Sequence, residues 1–269
     1  MVKKKGMILL DLHSPANVNR PNNHWKMKAL KTIVAAVLVG VLLTGCASTR
    51  AVEGPQDIND PFEPFNRAMF KVTLAIDKVV LRPTAIVYRA VFPEPIRNGV
   101  RNFLNNLDTP VIFTNDLLQG ELARARTTFV RAIVNTTVGI GGLIDVADRW
   151  GLPRHREDFG QTLATFGFGE GPYLFIPLFG PANPRDLLGY GTDLFFSPFT
   201  YVQWGDESYV PWVRYGVDLV DLRARNIDTL DEIQQTSLDY YASVRSLYRQ
   251  SRNNEINNGA AAVEDLPDF

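Results

Sequence analysis

Proline recurs at positions 61, 64, 83, 93, 95, 110, 153, 172, 177, 181, 184, 198 and 211. A prolyl nitrogen carries no hydrogen, so proline is tolerated in the first turn of a helix and breaks its interior. Short and unusually broken helices are therefore expected between residues 60 and 212. Polar and apolar residues nowhere alternate over a sustained run, so no sheet is expected. What remains is an all-α fold of short helices.

Hydrophobic spacing locates them. Phe65, Met69, Val72, Ile76 and Val79 recur at three and four, the signature of one helix face. Pro83 ends that segment and opens another that runs to Val91. In "IRNGVRNFLNNL", Ile96, Val100, Phe103, Leu104 and Leu107 share a side. "DTPVIFTNDLLQG" places Thr109 as cap, Pro110 at the first helical position and Gly120 as stop. Leu122, Ala125, Phe129 and Ile133 mark the next helix. Thr229 and Glu232 have the spacing of a capping box that opens the last helical region.

The stretch "FGFGEGPYLFIPLFGP", Phe166 to Pro181, contains four glycines and three prolines and reads as a loop. A loop in water should be polar, yet this one is filled with Phe, Tyr, Leu and Ile. Aromatic residues also flank other breaks, among them Phe62, Phe92, Phe195, Phe196, Phe199, Trp204 and Trp212. An irregular backbone with an apolar face suits a membrane interface, where amphipathic helices lie on their sides and aromatics reach headgroup depth. Within a membrane such backbone is tolerated where protein buries it or it lines a watery cavity. Phe166 to Pro181 is therefore expected to line or rim a cavity touching lipid and water.

The beginning of the chain carries a leader. From Met27 the sequence shows a basic head (Lys28, Lys31), an apolar run from Ile33 to Leu43, and then Leu43-Thr44-Gly45-Cys46. The run is too short to span a bilayer and reads as a cleaved secretion signal, residues 27–45. Its end resembles a lipobox, which makes Cys46 the lipidated first residue, followed by a linker, 46–59. Ala47 beside it favours sorting to the outer membrane. Residues 1–26 are polar and read as an extension upstream of the true start at Met27.

Processing changes the charge balance. Residues 1–45 hold seven of the 28 basic and one of the 29 acidic residues, leaving 21 against 28 and a formal charge of −7. A nucleic-acid binder would show a basic stripe instead. One histidine remains, His155, with no second histidine or free cysteine, so no zinc set can be assembled and no metal or other cofactor is expected beyond the lipid on Cys46. A serine hydrolase would need a G-x-S-x-G elbow, which is lacking. The charged run "RHRED" around His155 reads as a solvated loop. Asp145 and Asp148, three apart, read as caps or solvated groups. "VGIGG" lacks both the dinucleotide and the P-loop pattern. Of the 21 basic residues 19 are arginines, the exceptions being Lys71 and Lys78. Guanidinium grips phosphate with two prongs, which makes Arg97, Arg101 and Arg131 headgroup candidates. Internal pairing with carboxylates is the alternative.

Four segments in fixed order carry a resemblance: "DPFEPFNRAMF" (60–70), "PIRNGVRNFLNNLDTP" (95–110), "FVRAIVNTTVGIGGLIDVA" (129–147) and "DFGQTLATFGFGEGPYLFIPLFGPANPRD" (158–186). Behind a lipobox, they resemble the MlaA (VacJ) lipoprotein family. The resemblance implies a ring of short amphipathic helices, roughly 60–250, lying in the inner leaflet of a Gram-negative outer membrane around a central amphipathic channel. It implies removal of mislocalised phospholipids from the outer leaflet, a trimeric porin as partner, and delivery to a soluble MlaC-like periplasmic carrier. No enzyme activity is implied. By region, channel or hinge roles would fall on Phe65, Met69, Gly139, Gly141, Gly142, Phe159, Gly160, Phe166, Phe168, Gly171, Tyr173 and Phe175. A charge at Phe168 or Phe175 should then weaken lipid passage without unfolding the chain. Where the family often reads Gly-Pro-Ser-Thr, this chain has Gly180-Pro181-Ala182-Asn183-Pro184. The acidic end, 251–269, reads as a disordered tail. Two other readings stay open: a structural envelope lipoprotein that docks a partner, and an envelope phospholipase.

Overall fold

The computed structural model describes residues 59–201 and 209–259. The extension 1–26, the leader 27–45, Cys46 and Trp204 lie outside the described residues. The first helical stretch comprises α1 (Glu63–Ile76), a π-helical turn (Asp77–Leu81) and α2 (Arg82–Val91). Its sequence pattern led us to expect a break at Pro83. The chain instead stays helical, because the turn before Pro83 widens to i→i+5 and accommodates the missing donor.

There follow α3 (Glu94–Leu107), α4 (Thr109–Leu118), α5 (Leu122–Thr137), the short α6 (Val146–Arg149) and α7 (Phe159–Thr165). A two-stranded antiparallel hairpin, β1 (Leu174–Ile176) and β2 (Gly180–Ala182), precedes α8 (Pro184–Phe196). A 3-10 turn (Pro198–Thr200), α9 (Val210–Arg225), α10 (Ile227–Thr236) and α11 (Tyr240–Ile256) complete the described elements. Prolines stand in the first turns of α1, α2, α3, α4, α8 and α9, where their missing hydrogen leaves nothing unpaired. Side-chain caps come from Asp145, Asp158, Asn183 and Asp239.

The fold is mostly helical, as expected, with several local differences. The hairpin replaces part of the predicted loop. Its strands are three residues long and joined across Pro177, too short for alternation to show. Thr109 is the first residue of α4 rather than its cap, while Gly120 stops the chain at φ +79°. Thr229 lies inside α10, so its spacing to Glu232 caps nothing. The helix before the acidic end runs to Ile256, past the expected boundary at 250.

Burial is distributed unusually. Asn66, Asn115, Asp116 and Thr162 are each 0% exposed. Among the described residues, buried polar and charged side chains outnumber buried apolar ones. The apolar core is small: Phe70, Tyr173, Phe175 and Tyr241 cluster with Met69, Leu74 and Tyr248 around them. Phe70 meets Phe175 edge-on at 5.2 Å, a preferred aromatic geometry.

Polar residues provide the other internal joints. The Asn66 amide donates to Asp60 Oδ1 (2.7 Å) and Tyr173 O (3.0 Å) and accepts from Phe175 N–H (3.0 Å), pinning α1 to β1. Arg245 of α11 reaches Asp60 at 2.6 Å. Arg252 of α11 donates to both oxygens of Asp158 (2.6 and 2.7 Å) and to Asp186 (2.9 Å). Asp158 caps α7, and Asp186 sits in the first turn of α8. One guanidinium thus bridges two helix starts, where carboxylates are favoured by the helix dipole. Burial by itself would raise the Asp158 carboxyl, but the Arg252 bonds hold it below its usual range. Beside this pair, α7 and α8 cross at Gly160 and Gly189: a Cβ on Gly189 would lie 2.2 Å from Gly160 N.

Removing one member of a buried ion pair leaves an uncompensated charge. Arg252→Met is expected to lower stability by about 3–5 kcal/mol, read from denaturant unfolding in detergent. Arg252→Lys should recover little, because an ammonium lacks the planar fork.

Candidate functional site

The loop 152–158 links α6 to α7 without regular structure. It runs along a cavity of about 540 Å³ lined by Asp108, Arg154, Arg156, Tyr190, Asp193 and Arg214. An adjoining cavity of about 510 Å³ shares Arg156, Asp158, Phe179, Pro181, Tyr190, Asp193 and Glu255 and adds Leu187, Leu219 and Leu222. The two form one amphipathic space: Arg154, Arg156 and Glu157 line it at the 152–158 loop, while α9 contributes Tyr215, Leu219 and Leu222 beside Arg214 and Asp218. Its aromatic wall is ordered: Phe179 lies 5.8 Å from the Tyr190 ring and 5.4 Å from the Tyr215 ring. Tyr215 donates to Leu178 O at 3.0 Å, holding the hairpin turn against α9.

The electrostatics of this space are uneven. Arg214 pairs with Asp108 and lies 4.8 Å over the Phe199 ring. Asp193 accepts from Phe159 N–H (3.0 Å) and from the Asn115 amide (2.9 Å), yet burial pushes its carboxyl up to about 6. Arg154 touches solvent within the cavity while protein surrounds it. That burial, followed by the charge of Arg156, pushes it down to about 10.

His155 does not lie in open solvent as expected from its charged neighbours. Its Nε2 is 2.9 Å from buried Asp116 Oδ1 and 3.3 Å from Thr128 Oγ1. The ligand atoms of Asp116, His155 and Glu157 fall within 4.8 Å of one another. Their charge is already answered, since Arg124 binds Glu157 at 2.5 Å and Thr128 donates to Asp116 at 2.6 Å. Asp145 caps α6 as expected and receives Arg131 at 2.7 Å and Asn135 at 2.9 Å.

The residues singled out from sequence divide into groups. Phe65, Phe166 and Phe168 are exposed, and Met69 packs against the aromatic cluster. Gly139 and Gly142 allow close packing: a Cβ on Gly139 would lie 2.5 Å from Asn135 O, and one on Gly142 would lie 2.6 Å from Asn106. Gly141, at φ +68°, faces open space, and the turn presents Ile140 outward. Phe159 opens α7 against Phe196, with ring centroids 6.1 Å apart. Gly160 is buried at the Arg252 junction, and Gly171, at φ +73°, abuts Pro184.

Tyr173 and Phe175 depart from expectation. Both are 4% exposed, in the core. Of the headgroup candidates, Arg101 approaches Asp221 (3.4 Å) and Arg131 binds Asp145, so these guanidiniums face inward. Arg97 is half-buried, and its Nε has no hydrogen-bond partner. Sequence reasoning missed Arg154, Arg156, Tyr190 and Arg214; the "RHRED" run was the available signal.

The apolar stripes read from periodicity turn outward. On α5, Leu122, Phe129 and Ile133 are exposed while Ala125, Thr128, Arg131 and Asn135 are buried. Ile96 and Phe103 of α3, and Trp212 and Val213 of α9, are exposed too. Among the described residues, no helix is long and apolar enough to cross a membrane.

A helical protein with a polar interior, an apolar exterior and an amphipathic cavity is thereby defined. Residues 58–255 match the model of the MlaA lipoprotein family, and the chain belongs to that family. It is similar to the intermembrane phospholipid transport system lipoprotein MlaA of Haemophilus influenzae, with 36% identity over 245 residues, 88% of this chain and 96% of the relative. The protein of the same description from Escherichia coli K12 is 34% identical over 243 residues, 88% of this chain and 94% of the relative. A solved structure, from work on the structural basis for maintenance of bacterial outer membrane lipid asymmetry, superposes with a TM-score of 0.67. It is 35% identical, with 74% of this chain and 99% of that chain covered.

Two outcomes follow. Phe168→Asp should leave the melting temperature unchanged, since the side chain is 59% exposed, whereas Phe175→Asp should unfold the protein. Asp193 holds its proton more tightly folded than unfolded, so its contribution to stability is full below about pH 4 and is lost as pH rises to about 6. Asp193→Asn should remove that decline, on the order of 2 kcal/mol, in melts compared across this range.

Proposed function

We propose that the protein takes phospholipids out of the outer leaflet of the outer membrane and passes them toward the periplasm, maintaining lipid asymmetry. The observation that carries this reading is the inversion of the fold: polar and charged side chains inside, apolar ones outside, and an amphipathic cavity between them. An exterior bearing Phe65, Phe129, Ile140, Phe195 and Trp212 suits hydrocarbon rather than water. A phospholipid has a charged head and apolar chains, matching the two sides of the cavity. The relatives named for intermembrane phospholipid transport support the same assignment.

In this reading the helices form a ring seated in the inner leaflet, tethered by a lipid on Cys46. The head of an outer-leaflet lipid passes along the charged side while its chains follow the Phe179–Tyr190–Tyr215 wall. Inner-leaflet lipids meet only the sealed apolar belt. A trimeric porin would hold the ring in place, and a soluble MlaC-like carrier would receive the lipid on the periplasmic side. The process is passive and needs no cofactor.

A phospholipase fits less well. Hydrolytic relay needs the nucleophile on one ring nitrogen and the carboxylate on the other. Here His155 Nε2 faces both Thr128 and Asp116.

Deleting the gene should raise outer-leaflet phospholipid, measured by palmitate transfer onto lipid A, and Cys46→Ala should reproduce the rise. No rise in a strain lacking any redundant system would overturn the proposal and favour a docking lipoprotein.

A further inference from the structure

Most of the described arginines pair with carboxylates, whereas Arg97, Arg126, Arg149, Arg154 and Arg156 do not; of these five only Arg154 and Arg156 line the amphipathic cavity. Arg67, Arg82, Arg124, Arg223, Arg245 and Arg252 are among those bound to carboxylates. Among the described residues, the guanidinium groups of Arg154 and Arg156 make no hydrogen bond or ion pair. Both line the amphipathic cavity. Several carboxylates near them are taken, Asp108 by Arg214, Glu157 by Arg124, and Asp158 and Glu255 by Arg252, while Asp218 lines the adjoining part of the space. Asp193 is held by Asn115 and a backbone N–H.

Two unpaired guanidiniums in a partly enclosed space call for an anion. Both residues are exposed to solvent, so an anion entering the cavity reaches them without displacing protein. Resting on the transport reading above, we infer that Arg154 and Arg156 form the subsite that recognises the phosphodiester of the transported lipid. A phosphodiester carries one negative charge and two unesterified oxygens, a match for the guanidinium fork. The aromatic wall of Phe179, Tyr190 and Tyr215 begins across the same cavity, so a head held at the arginines leaves its chains on apolar surface.

The test is calorimetric titration of the full-length lipoprotein in amphipol. Three probes are used: dihexanoylphosphatidylcholine, dihexanoylglycerol, which lacks the phosphate, and inorganic phosphate. The wild type should bind the phosphatidyl probe about tenfold or more tighter than the glycerol. In Arg154→Gln/Arg156→Gln that preference should fall to within about twofold, while Arg154→Lys/Arg156→Lys keeps part of it. Arg126→Gln, an exposed site away from the cavity, should behave as wild type. Melting temperatures should stay unchanged in all of them, since the two guanidiniums make no internal bond.

A double glutamine variant that retains the preference overturns the assignment and leaves the transport reading intact. Inorganic phosphate binding as tightly as the phosphatidyl probe makes this a free-phosphate site and overturns the lipid assignment. If neither lipid probe binds the wild type, the transport reading and this subsite fall together.

Discussion

Buried pairing between arginine and carboxylate is the interaction on which the rest of this structure depends. In a water-soluble domain the interior is apolar and charge stays outside. Here Arg252, Arg245 and Arg223 lie inside and join elements far apart in sequence, and Arg131 ties α5 to the cap of α6. Arg252 is the clearest case: it fastens α11 to the first turns of α7 and α8 at once. Such pairs roughly break even against an apolar replacement, but a broken one is severely destabilising. They therefore specify where helices sit more than they stabilise the fold. The exacting backbone approach at Gly160 and Gly189 belongs to the same junction.

An interior filled with polar groups displaces the large apolar side chains. They end on the outside of α1, α3, α5 and α9, in the first three of these at positions of the faces that periodicity marks, although Leu104 of α3 and Ala125 of α5 are buried. Hydrophobic periodicity reports which face meets an apolar medium, and it is silent on whether that medium is protein or lipid. Small side chains and hydrogen-bonding residues then make the helix contacts, as Ala125, Thr128 and Asn135 do on α5. Helices inside a membrane solve the same problem with small and polar residues. Among the described residues no helix is long and apolar enough to cross one.

Much of the helical layout was legible because proline chemistry is local. Pro64, Pro95, Pro110 and Pro184 stand in first turns whatever the tertiary context. What escaped the sequence depends on distant partners. Phe175 reads like its neighbours Phe166 and Phe168, and only the register of β1 with β2 and the approach of Phe70 bury it. The strands hold three residues each, below the length at which alternation shows. Asp116 gives His155 a buried partner from 39 residues away, and no local pattern encodes that. Thr229 and Glu232 have the right spacing for a cap inside a helix that had already begun. Pro83 fails as a stop because the π turn ahead of it absorbs the lost bond.

The arginine excess was legible as a composition but not as a use. Guanidinium serves two ends here, and the distinction is set by which carboxylates lie in reach. Most of the arginines face acidic partners and form internal joints, which lysine could not do with the same geometry. A chain processed at Cys46 would carry a formal charge of −7 by its residue counts, and net charge would place a phosphate outside such a protein. Net charge acts over distances that salt screens within about 10 Å, whereas the cavity is governed by its own walls. There Asp108, Glu157 and Asp158 are engaged by Arg214, Arg124 and Arg252. Arg154 and Arg156 are left facing the open space. The pairs that hold the helices together thus also engage several of the acidic groups lining the cavity, and they leave two of its guanidiniums without an ion pair.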